Sequence, residues 1–303
     1  MQKFLVASLI TIISVSTGYS VKAQYHASLI GFYNLENFYD TVDNPIVDDE
    51  EFLPNSERHY NTTIFLDKVD RLTSVLAQLG TDVNPDGFAL LGVSEIENDT
   101  VLTALIKHKS LQSRGLKFVH YDSPDKRGID VGLLYNPKYF TPLYSEPLFV
   151  QLPGGSKDSY STRDILYVKG ILDGDTIHVM VGHWPSRSGG EERSIPARAA
   201  AASVCKGVVD SLMAISKQTK VVIMGDLNDD PISPSLTKVL GATGSIKDLK
   251  DGGLYNPWYD FYKRGIGTIA YQDAWGLFDQ VIISKGWLDK KQAGYFFQKA
   301  TIF

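Results

Sequence analysis

Short apolar runs that stop at polar residues recur along the chain and predict buried β-strands. The clearest run, residues 221–225, has four apolar residues led by β-branched ones and ends at a glycine, which fits a strand buried on both faces. Asp173-Gly174-Asp175 predicts a tight hairpin turn between two further strands. The other runs predict strands over residues 27–33, 86–93, 117–121, 127–135, 142–150, 163–172, 176–182 and 275–284.

Other stretches carry the spacing of amphipathic helices. Residues 193–215 predict a long helix with Pro196 near its start, and residues 101–107 predict a shorter one. Residues 61–79 predict a third helix, because their apolar side chains recur at Ile64, Phe65, Val69, Leu72, Leu76 and Leu79. Strand pairs joined by tight turns and interrupted by two long helices predict one α/β domain with stacked, largely antiparallel sheets.

Polar side chains stand at or near the ends of at least five of these strands. They are Asn34, Glu95, His183, Asp226 with Asn228, and Asp279. Each has an ordinary explanation alone, such as a turn former, a surface carboxylate or a hydrogen-bonded histidine. Taken together they predict a site, because loops that gather at one edge of a layered sheet are where sites are built.

The pair that follows residues 221–225 carries the most specific chemistry. Asp226 and Asn228 are two positions apart, so their side chains leave an extended chain on the same face. A carboxylate beside a carboxamide suits a hard divalent cation and a phosphate oxygen. For these two residues alone, an ordinary turn explains the pattern equally well. Asp279 lies inside an apolar strand, where a buried carboxylate needs a partner.

Length and composition add limits on class and location. The 303 residues suffice for one large core or at most two domains. Residues 1–23 predict a secretory signal peptide cut after Ala23, with a buried N-terminal helix as the alternative. The protein is therefore expected to be exported, either to the periplasm or to the medium. The single Cys205 excludes an internal disulfide framework and is most simply a small core residue.

Net charge bears on the class of partner. The formal charge is -5, and removal of Lys3 and Lys22 with the predicted signal peptide changes it to -7. An acidic protein is a poor candidate for tight, nonspecific nucleic-acid binding, but an enzyme can still contact a few phosphates through a local cluster.

Five motifs in order resemble those of the endonuclease/exonuclease/phosphatase family, which has the deoxyribonuclease I-like fold. They are Tyr33-Asn34-Leu35-Glu36-Asn37, Ser94-Glu95-Ile96-Glu97, His183-Trp184-Pro185-Ser186-Arg187, Gly225-Asp226-Leu227-Asn228-Asp229 and Leu277-Phe278-Asp279-Gln280-Val281. The resemblance spans nearly all of residues 24–303. It implies a four-layer sandwich of two mixed, largely antiparallel sheets flanked by helices, and a phosphodiesterase or phosphatase that depends on Mg²⁺, with Mn²⁺ or Ca²⁺ as alternatives.

The resemblance also implies a role for each matching residue. Glu95 matches the main metal carboxylate, with Asn34 beside it. Asp226 matches the residue that orients or deprotonates the attacking water, and Asn228 matches the one that binds the scissile phosphate. Magnesium prefers few protein carboxylates and keeps several waters, which agrees with one glutamate and a helping asparagine.

Four further residues are candidates, and two of them, His183 and Arg163, resemble residues of the deoxyribonuclease branch of the family. His183 is similar to the histidine that stabilises or protonates the leaving oxygen, and Asp279 to the carboxylate that orients a final catalytic histidine. Arg163 resembles a phosphate-contacting arginine, although a surface arginine on a strand explains it equally well. Arg187, from the histidine motif, is a second candidate for binding substrate.

The chain departs from the family pattern near residue 303. The family closes with Ser-Asp-His before an apolar strand, whereas here all histidines precede Asp226. We expect either a shortened chain, with an unfilled sheet position and impaired activity, or a member that uses a different acid. The histidines are His26, His59, His108, His120, His178 and His183.

The expected function is in-line hydrolysis of phosphodiester bonds by an activated water, in an exported nuclease whose partner is nucleic acid. One alternative is a phosphatase, or a phosphodiesterase for phospholipid or sphingolipid headgroups. For the lipid case, the aromatic stretch 255–262 would meet a membrane, although such a stretch is more often core or lid. A degenerate member that binds phosphate without hydrolysing it is a further alternative. No protein partner is evident, and a monomer is expected.

Overall fold

A computed structural model describes residues 26–154, 161–271, 273–291 and 294–303, and it contains two main β-sheets. The first has the order β1-β2-β4-β3 and the second the order β5-β6-β7-β8-β13-β10-β9. The strands of the first sheet are β1 (Ile30–Phe38), β2 (Leu90–Ile96), β3 (Lys117–His120) and β4 (Asp130–Tyr135). Those of the second are β5 (Phe140–Leu148), β6 (Ile165–Leu172), β7 (Asp175–His183), β8 (Lys220–Asp226), β9 (Ala242–Thr243), β10 (Leu254–Tyr255) and β13 (Asp279–Ser284). A separate hairpin is formed by β11 (Ile269–Tyr271) and β12 (Ala274–Gly276).

The pairing in both sheets is mixed and largely antiparallel, as expected from the resemblance. The β1–β2, β7–β8 and β9–β10 pairs are parallel, and the other pairs are antiparallel. The predicted hairpin turn joins β6 to β7 through Asp173 and Gly174, whose φ angles of 45° and 91° match the twist of a two-residue turn. The parallel β7–β8 pair is connected by a long helix on the outer face, as a parallel crossover requires.

Four α-helices accompany the sheets in the described part of the chain. They are α1 (Thr62–Leu76), α2 (Asp99–Lys107), α3 (Glu191–Ile215) and α4 (Trp258–Lys263). The Asn61 and Asn98 side chains cap α1 and α2 by accepting hydrogen bonds from backbone N–H groups of the first turn. The α3 helix begins two residues before the predicted start, since Pro196 tolerates a position in its first turns.

Three apolar clusters separate four layers. One cluster lies between the two sheets and joins side chains such as Leu90 and Leu133 to Val179 and Val222. A second packs α3 against the outer face of the second sheet, and a third packs α1 and α2 against the first sheet. The predicted four-layer sandwich is therefore confirmed, and its sheet edges bring several strand ends to one side of the molecule.

Other predictions about single segments have different outcomes. Cys205 is fully buried in the α3 cluster, as expected. In the aromatic stretch 255–262, Tyr255 and Trp258 are buried, which favours the core interpretation. The predicted signal peptide lies outside the described residues. None of the described helices combines the length and apolar character that crossing a membrane requires.

Candidate active site

Strand ends from both sheets converge on one cleft. The register places Asn34 of β1 opposite Ser94, next to Glu95 in β2. In the second sheet His183 of β7 lies opposite Asp226 of β8, and Asp226 lies opposite Asp279 of β13. The two sheets therefore deliver carboxylates and a histidine to one place, and the cleft is lined by Asn34, Glu95, His183, Asp226, Asn228 and Asp279.

Glu95 owes its position to an irregularity in β2. The pairing of β2 with β4 shifts register between Ser94 and Ile96, and Glu95 has a left-handed φ of 57°. Its Oε2 accepts a 2.7 Å hydrogen bond from Asn37 N, and its Oε1 accepts one from Asn34 Nδ2. Such backbone conformations cost free energy and cluster at functional sites. The carboxylate is consequently held at a defined place in the cleft.

Asn34 bridges the two central carboxylates through its amide nitrogen. Nδ2 lies 3.1 Å from Glu95 Oε1 and 3.1 Å from Asp226 Oδ2. Oδ1, the atom that would bind a metal, instead accepts a 2.9 Å hydrogen bond from Glu36 N. In this arrangement Asn34 orients the carboxylates, and its predicted role as a metal ligand stays a prediction. Asn34 also lies within β1 rather than at its end, because β1 continues to Phe38.

Asp226 and Asn228 form a compact turn after β8. Asp226 Oδ1 accepts a 3.0 Å hydrogen bond from Asn228 N, and Asn228 has a left-handed φ of 50°. Asn228 Nδ2 donates to Trp184 O at 2.9 Å, which fixes the carboxamide against the loop after β7. Burial raises the pKa of Asp226 and nearby Glu95 adds to this, against the hydrogen bonds from Asn228 and Asn34. The turn thus places a carboxylate of raised basicity beside an amide.

His183 is buried against both carboxylates. Its Nε2 lies 4.0 Å from Glu95 Oε1 and 3.9 Å from Asp226 Oδ2, and its Nδ1 is buried with no partner among the described residues. Burial holds the pKa of His183 well below its usual range, with contributions from the Arg163 and Arg127 guanidinium groups. The ring is therefore neutral near physiological pH and can donate one hydrogen bond.

Asp279 adds a third carboxylate, which interacts with the Thr268 side chain. Its backbone N–H donates to Thr268 Oγ1 at 3.3 Å, while Oδ1 is buried and unpartnered within the described residues. Burial, followed by repulsion from Asp226, raises the pKa of Asp279 to about 7. The histidine that the family resemblance would place beside this carboxylate is not among the residues that contact it in the described chain.

Arg163 and Arg187 mainly hold loops. The Arg163 guanidinium is nearly buried and donates to Asp125 Oδ2, His183 O and Trp184 O. Arg187 donates to Asn228 O and to Asp229 and Asp230, and it stacks over the Phe278 ring. These bonds explain how both arginines position the loop after β7. Arg163 still lines the cleft with N–H groups to spare, so its predicted phosphate contact stays a prediction.

The donor set fits a hard divalent cation. Oxygen or nitrogen atoms of Glu95, His183 and Asp226 all lie within 4.8 Å of one another. Asp279 brings a further carboxylate with an unpartnered oxygen next to Asp226. Because burial holds the pKa of His183 low, the ring adds no positive charge to balance these carboxylates. Buried charges of one sign call for a counter-ion, and carboxylate oxygens are what Mg²⁺, Mn²⁺ and Ca²⁺ prefer.

A second group of side chains that could bind a metal ion lies away from the cleft. His120 is held between Asp99 Oδ1 at 2.8 Å and Asp130 Oδ2 at 3.2 Å, with the exposed Asp122 nearby. Burial lowers the pKa of His120, but the two carboxylates outweigh it and raise the pKa overall. The imidazolium itself therefore balances its neighbours, and the group is explained as a structural ion pair.

Several residues that shape the site were missed by sequence reasoning. Lys68 Nζ donates to the carbonyl groups of Glu36 and Asn37 and so supports their left-handed backbone. Lys126 and Arg127 line the cleft from the loop between β3 and β4. Arg127 and Gly128 predict a turn from the sequence. That Lys126 and Arg127 line the same cleft as the carboxylates depends on the tertiary structure.

Solved structures with the same fold support this architecture. A mannosyl-6-phosphatase from Bacteroides thetaiotaomicron has 14% sequence identity and a TM-score of 0.55, covering 86% of this chain and 86% of that chain. An endonuclease/exonuclease/phosphatase family protein from Bacteroides thetaiotaomicron has 14% identity and a TM-score of 0.53, covering 84% and 80%. A D. rerio TDP2 humanized by 14 mutations has 16% identity and a TM-score of 0.52, covering 84% and 82%. At these identities the similarity establishes the fold.

The family is established by sequence. No curated protein matches the chain. A sequence profile described as Endonuclease/Exonuclease/phosphatase family matches residues 29–303, which is nearly the whole chain. With the layered fold and the carboxylate cluster in place, the chain belongs to the Endonuclease/Exonuclease/phosphatase family, whose members hydrolyse phosphoesters with the help of divalent metal ions.

Proposed function

We propose that this protein is a Mg²⁺-dependent phosphodiesterase that acts on nucleic acid. The observation that carries the proposal is the convergence of Glu95, His183 and Asp226, whose ligand atoms lie within 4.8 Å of one another in an open cleft. A phosphodiester is anionic, so attack by water requires neutralisation of charge and fixed hydrogen-bond donors. The cluster can hold a cation, and the neighbouring amides and ring can supply the donors.

Each residue has a role that follows from its contacts. Glu95 would hold the cation, which supplies charge neutralisation at the phosphoester when bound. Asp226, whose pKa is raised, orients the attacking water and accepts its proton. Asn228 presents the remaining N–H of its amide to the phosphate. Burial lowers the pKa of His183, which suits the ring to stabilise the leaving oxygen by donating a hydrogen bond.

The test compares hydrolysis by the wild-type chain with that by Asp226→Ala. With Mg²⁺, wild type is expected to cleave bis(p-nitrophenyl) phosphate and to nick supercoiled plasmid, and chelator is expected to abolish both. Asp226→Ala should reduce turnover by about 100-fold or more, which is typical for loss of a general base. Asp210→Ala, on the exposed face of α3, is the matched control. Turnover that survives chelator or Asp226→Ala contradicts the proposal.

Lipid phosphodiesters are a second candidate substrate, favoured by one surface feature. The β11–β12 hairpin stands beside Thr268 and Phe278 of the cleft and exposes Ile269, Tyr271 and Trp275. An exposed aromatic group can contact either a nucleobase or an interfacial lipid. Co-sedimentation with sphingomyelin vesicles and release of their headgroup would favour the lipid, and plasmid nicking without vesicle binding would favour nucleic acid.

The remaining alternatives have direct tests in the same assay. A phosphatase would prefer p-nitrophenyl phosphate to bis(p-nitrophenyl) phosphate. A degenerate, phosphate-binding member would bind phosphate by calorimetry without turning over any of these substrates.

We also propose that the protein is exported, on the basis of the signal-like pattern of residues 1–23. N-terminal sequencing of protein from the periplasm and the medium tests this. A mature chain that begins at Gln24 is expected, and recovery only of uncleaved protein from the cytoplasm contradicts it.

A further inference from the structure

The loop between β3 and β4 holds two cations at the rim of the catalytic cleft. Lys126 and Arg127 line the cleft together with Glu95, His183 and Asp226. Both side chains are exposed, with the Arg127 side chain 48% accessible. Arg127 is also close enough to contribute to the lowered pKa of His183. The pair therefore lines the same cleft as the carboxylates, and Arg127 acts electrostatically on the histidine among them.

The backbone of this basic pair is pinned on both sides. Lys126 O accepts a 2.6 Å hydrogen bond from Asp48 N, and Arg127 O accepts a 2.8 Å hydrogen bond from Tyr39 OH. Arg127 N donates to Asp125 Oδ1 at 3.0 Å. A rigid backbone lowers the entropic cost of binding, because only the side chains remain to be ordered.

The ends of the loop are fixed as well. Ser123 N donates to Asp130 Oδ1 at 2.8 Å, and Asp130 is held by His120. Gly128 has a φ of 64°, and a Cβ there would come within 2.8 Å of Val47, so the chain passes this point only as glycine. Asp125 Oδ2 is bonded to Arg163, which in turn holds the carbonyl of His183. The loop is thus tied to the catalytic histidine through Arg163.

The two cationic heads, by contrast, are weakly paired. The Arg127 guanidinium has one carboxylate neighbour, Asp125, at 3.6 Å, and that carboxylate already serves Arg163. In the described part of the chain, no carboxylate lies within the 4.0 Å ion-pair distance of Lys126 Nζ. A fixed backbone that carries exposed, weakly paired cationic side chains suits an anion-binding site. The planar guanidinium group of arginine also matches the geometry of a phosphate.

Charges of both signs line the cleft. The centre carries Glu95, Asp226 and Asp279, which suit a cation and the phosphate that it holds. The rim carries Lys126 and Arg127, in a protein whose overall charge is -5. A single phosphate at the centre leaves the rim unused, whereas a chain with further phosphates can engage both regions at once.

We propose that Lys126 and Arg127 form a second phosphate subsite, which selects phosphodiester chains of at least two phosphates over substrates with one. This specificity rests on the proposed phosphodiesterase function. The subsite would contact the phosphate next to the scissile one in a single-stranded oligonucleotide. It explains how an acidic protein can act on a polyanion, since the positive charge is local.

The test uses the full chain with Mg²⁺ and two substrates that differ in phosphate number. We compare wild type with Lys126→Ala/Arg127→Ala on bis(p-nitrophenyl) phosphate and on a labelled ten-nucleotide DNA strand. The double variant is expected to lose roughly tenfold in kcat/KM on the oligonucleotide and less than twofold on the single diester. The slope of log kcat/KM against log salt should become shallower by about 0.7, from one lost phosphate contact on a single strand.

A matched control removes the same net charge elsewhere. Arg71→Ala/Lys206→Ala takes away two exposed cations from helical ion pairs on α1 and α3. This variant should keep wild-type kinetics and salt dependence on both substrates. Thermal melting of all variants checks folding, and Lys126→Arg/Arg127→Lys should recover most of the oligonucleotide activity because charge is retained.

Three results would overturn the subsite. These are an unchanged rate on the oligonucleotide, an equal loss on both substrates, and an equal loss in the matched control. Binding provides a readout that does not depend on turnover. In an Asp226→Ala background, fluorescence anisotropy of the labelled strand should show about tenfold weaker binding on loss of Lys126 and Arg127, and unchanged binding also overturns the proposal.

The proposed function fails separately, if the wild-type chain cleaves neither substrate. In that case the anisotropy comparison still decides whether the rim binds a phosphodiester chain.

Discussion

At the scale of single residues, the site is built from conformations that residues rarely adopt. Glu95 and Asn228 have left-handed φ angles of 57° and 50°, and Glu36 and Asn37 both have 54°. Such conformations are uncommon outside glycine and cost free energy. Here hydrogen bonds hold these conformations, such as those from Asn37 N to Glu95 and from Asn228 N to Asp226. These backbone conformations therefore lower the stability of the fold, and they orient the two central carboxylates.

A buried carboxylate gives the first stability prediction. The pKa of Asp279 is raised to about 7, so its ionisation destabilises the fold progressively as pH rises from the unfolded pKa through 7. Asp279→Asn removes this cost. We expect the variant to be more stable than wild type by about 2 kcal/mol at pH 8 in chelator, with the difference shrinking as pH falls toward 4.

Urea denaturation at several pH values measures this difference. Asp210→Asn on the surface of α3 is the control, and it should show no such pH-dependent gain. A variant at residue 279 that is less stable than wild type at pH 8 would mean that the carboxylate has a partner that stabilises its charge.

Two arginines show how residue roles depend on neighbours. The phosphate contacts predicted for Arg163 and Arg187 came from motif similarity, whereas the structure places both guanidinium groups against loop carbonyls and carboxylates. Lys126 and Arg127 line the cleft with exposed and more weakly paired cationic heads. Sequence similarity located the basic residues of the region but did not indicate which of them are already paired.

At the scale of elements, the parallel pairing of β7 and β8 sets the distance between His183 and Asp226. Gly182 and Gly225 face each other across this pair, just before the two catalytic positions. A Cβ on Gly225 would lie 2.0 Å from Gly182 O. The glycine therefore permits the close approach of two strand ends, which is a tertiary requirement rather than a turn preference.

The second stability prediction follows from this contact. Gly225→Ala is expected to destabilise the protein by about 3 kcal/mol or more, because backbone atoms cannot give way to the added methyl group. Gly207→Ala is the matched control in α3, where a Cβ meets nothing within 4 Å. That substitution should stabilise by roughly 0.5 to 1 kcal/mol through helix propensity. Urea midpoints that coincide for the two variants would contradict the role given to Gly225.

The observed end of the first strand differs from the predicted one, and this difference affects the site. The first strand was predicted over residues 27–33 but extends to Phe38, so Asn34 lies within it. The pattern failed there because Asn, Glu and Asn are not typical strand formers, and the bonds of this segment to Glu95 and Lys68 override that preference. The β6–β7 hairpin was predicted correctly, because its turn is determined by local residues alone.

At the scale of the whole molecule, the cleft depends on how two sheets stack. Asn34 and Glu95 belong to the first sheet, whereas His183, Asp226 and Asp279 belong to the second. The cluster between the sheets, which includes Leu133 and Val179, fixes their separation and hence the spacing of the carboxylates. Cation binding should therefore link the two layers and stabilise the entire fold.

A thermal prediction tests that link. Addition of Mg²⁺ or Mn²⁺ at about 100 times its Kd is expected to stabilise wild type by about 2.7 kcal/mol, because the folded site binds the cation and the unfolded chain does not. Glu95→Gln should abolish most of the resulting rise in Tm. Glu192→Gln, on the first turn of α3, removes the same charge and should keep the rise. An equal rise in wild type and Glu95→Gln would place the cation elsewhere.

The sequence by itself determined the family, the layered α/β fold and the five strands that carry the polar groups of the site. It could do so because apolar runs, hairpin turns and short motifs are local properties, legible without knowledge of what packs where. Motif order along the chain supplied the candidate residues Asn34, Glu95, His183, Asp226 and Asp279, and the register of the two sheets then placed them together.

Only the tertiary structure decided how those groups interact. The amide of Asn34 points its nitrogen at the carboxylates, His183 is buried in a neutral form, and Arg163 is paired before any substrate arrives. The free cations of the cleft come from a loop that is distant in sequence. Protonation states, the direction of hydrogen bonds and the pairing of charges all depend on neighbours that folding brings close. The order of residues along the chain does not give the distances between those neighbours.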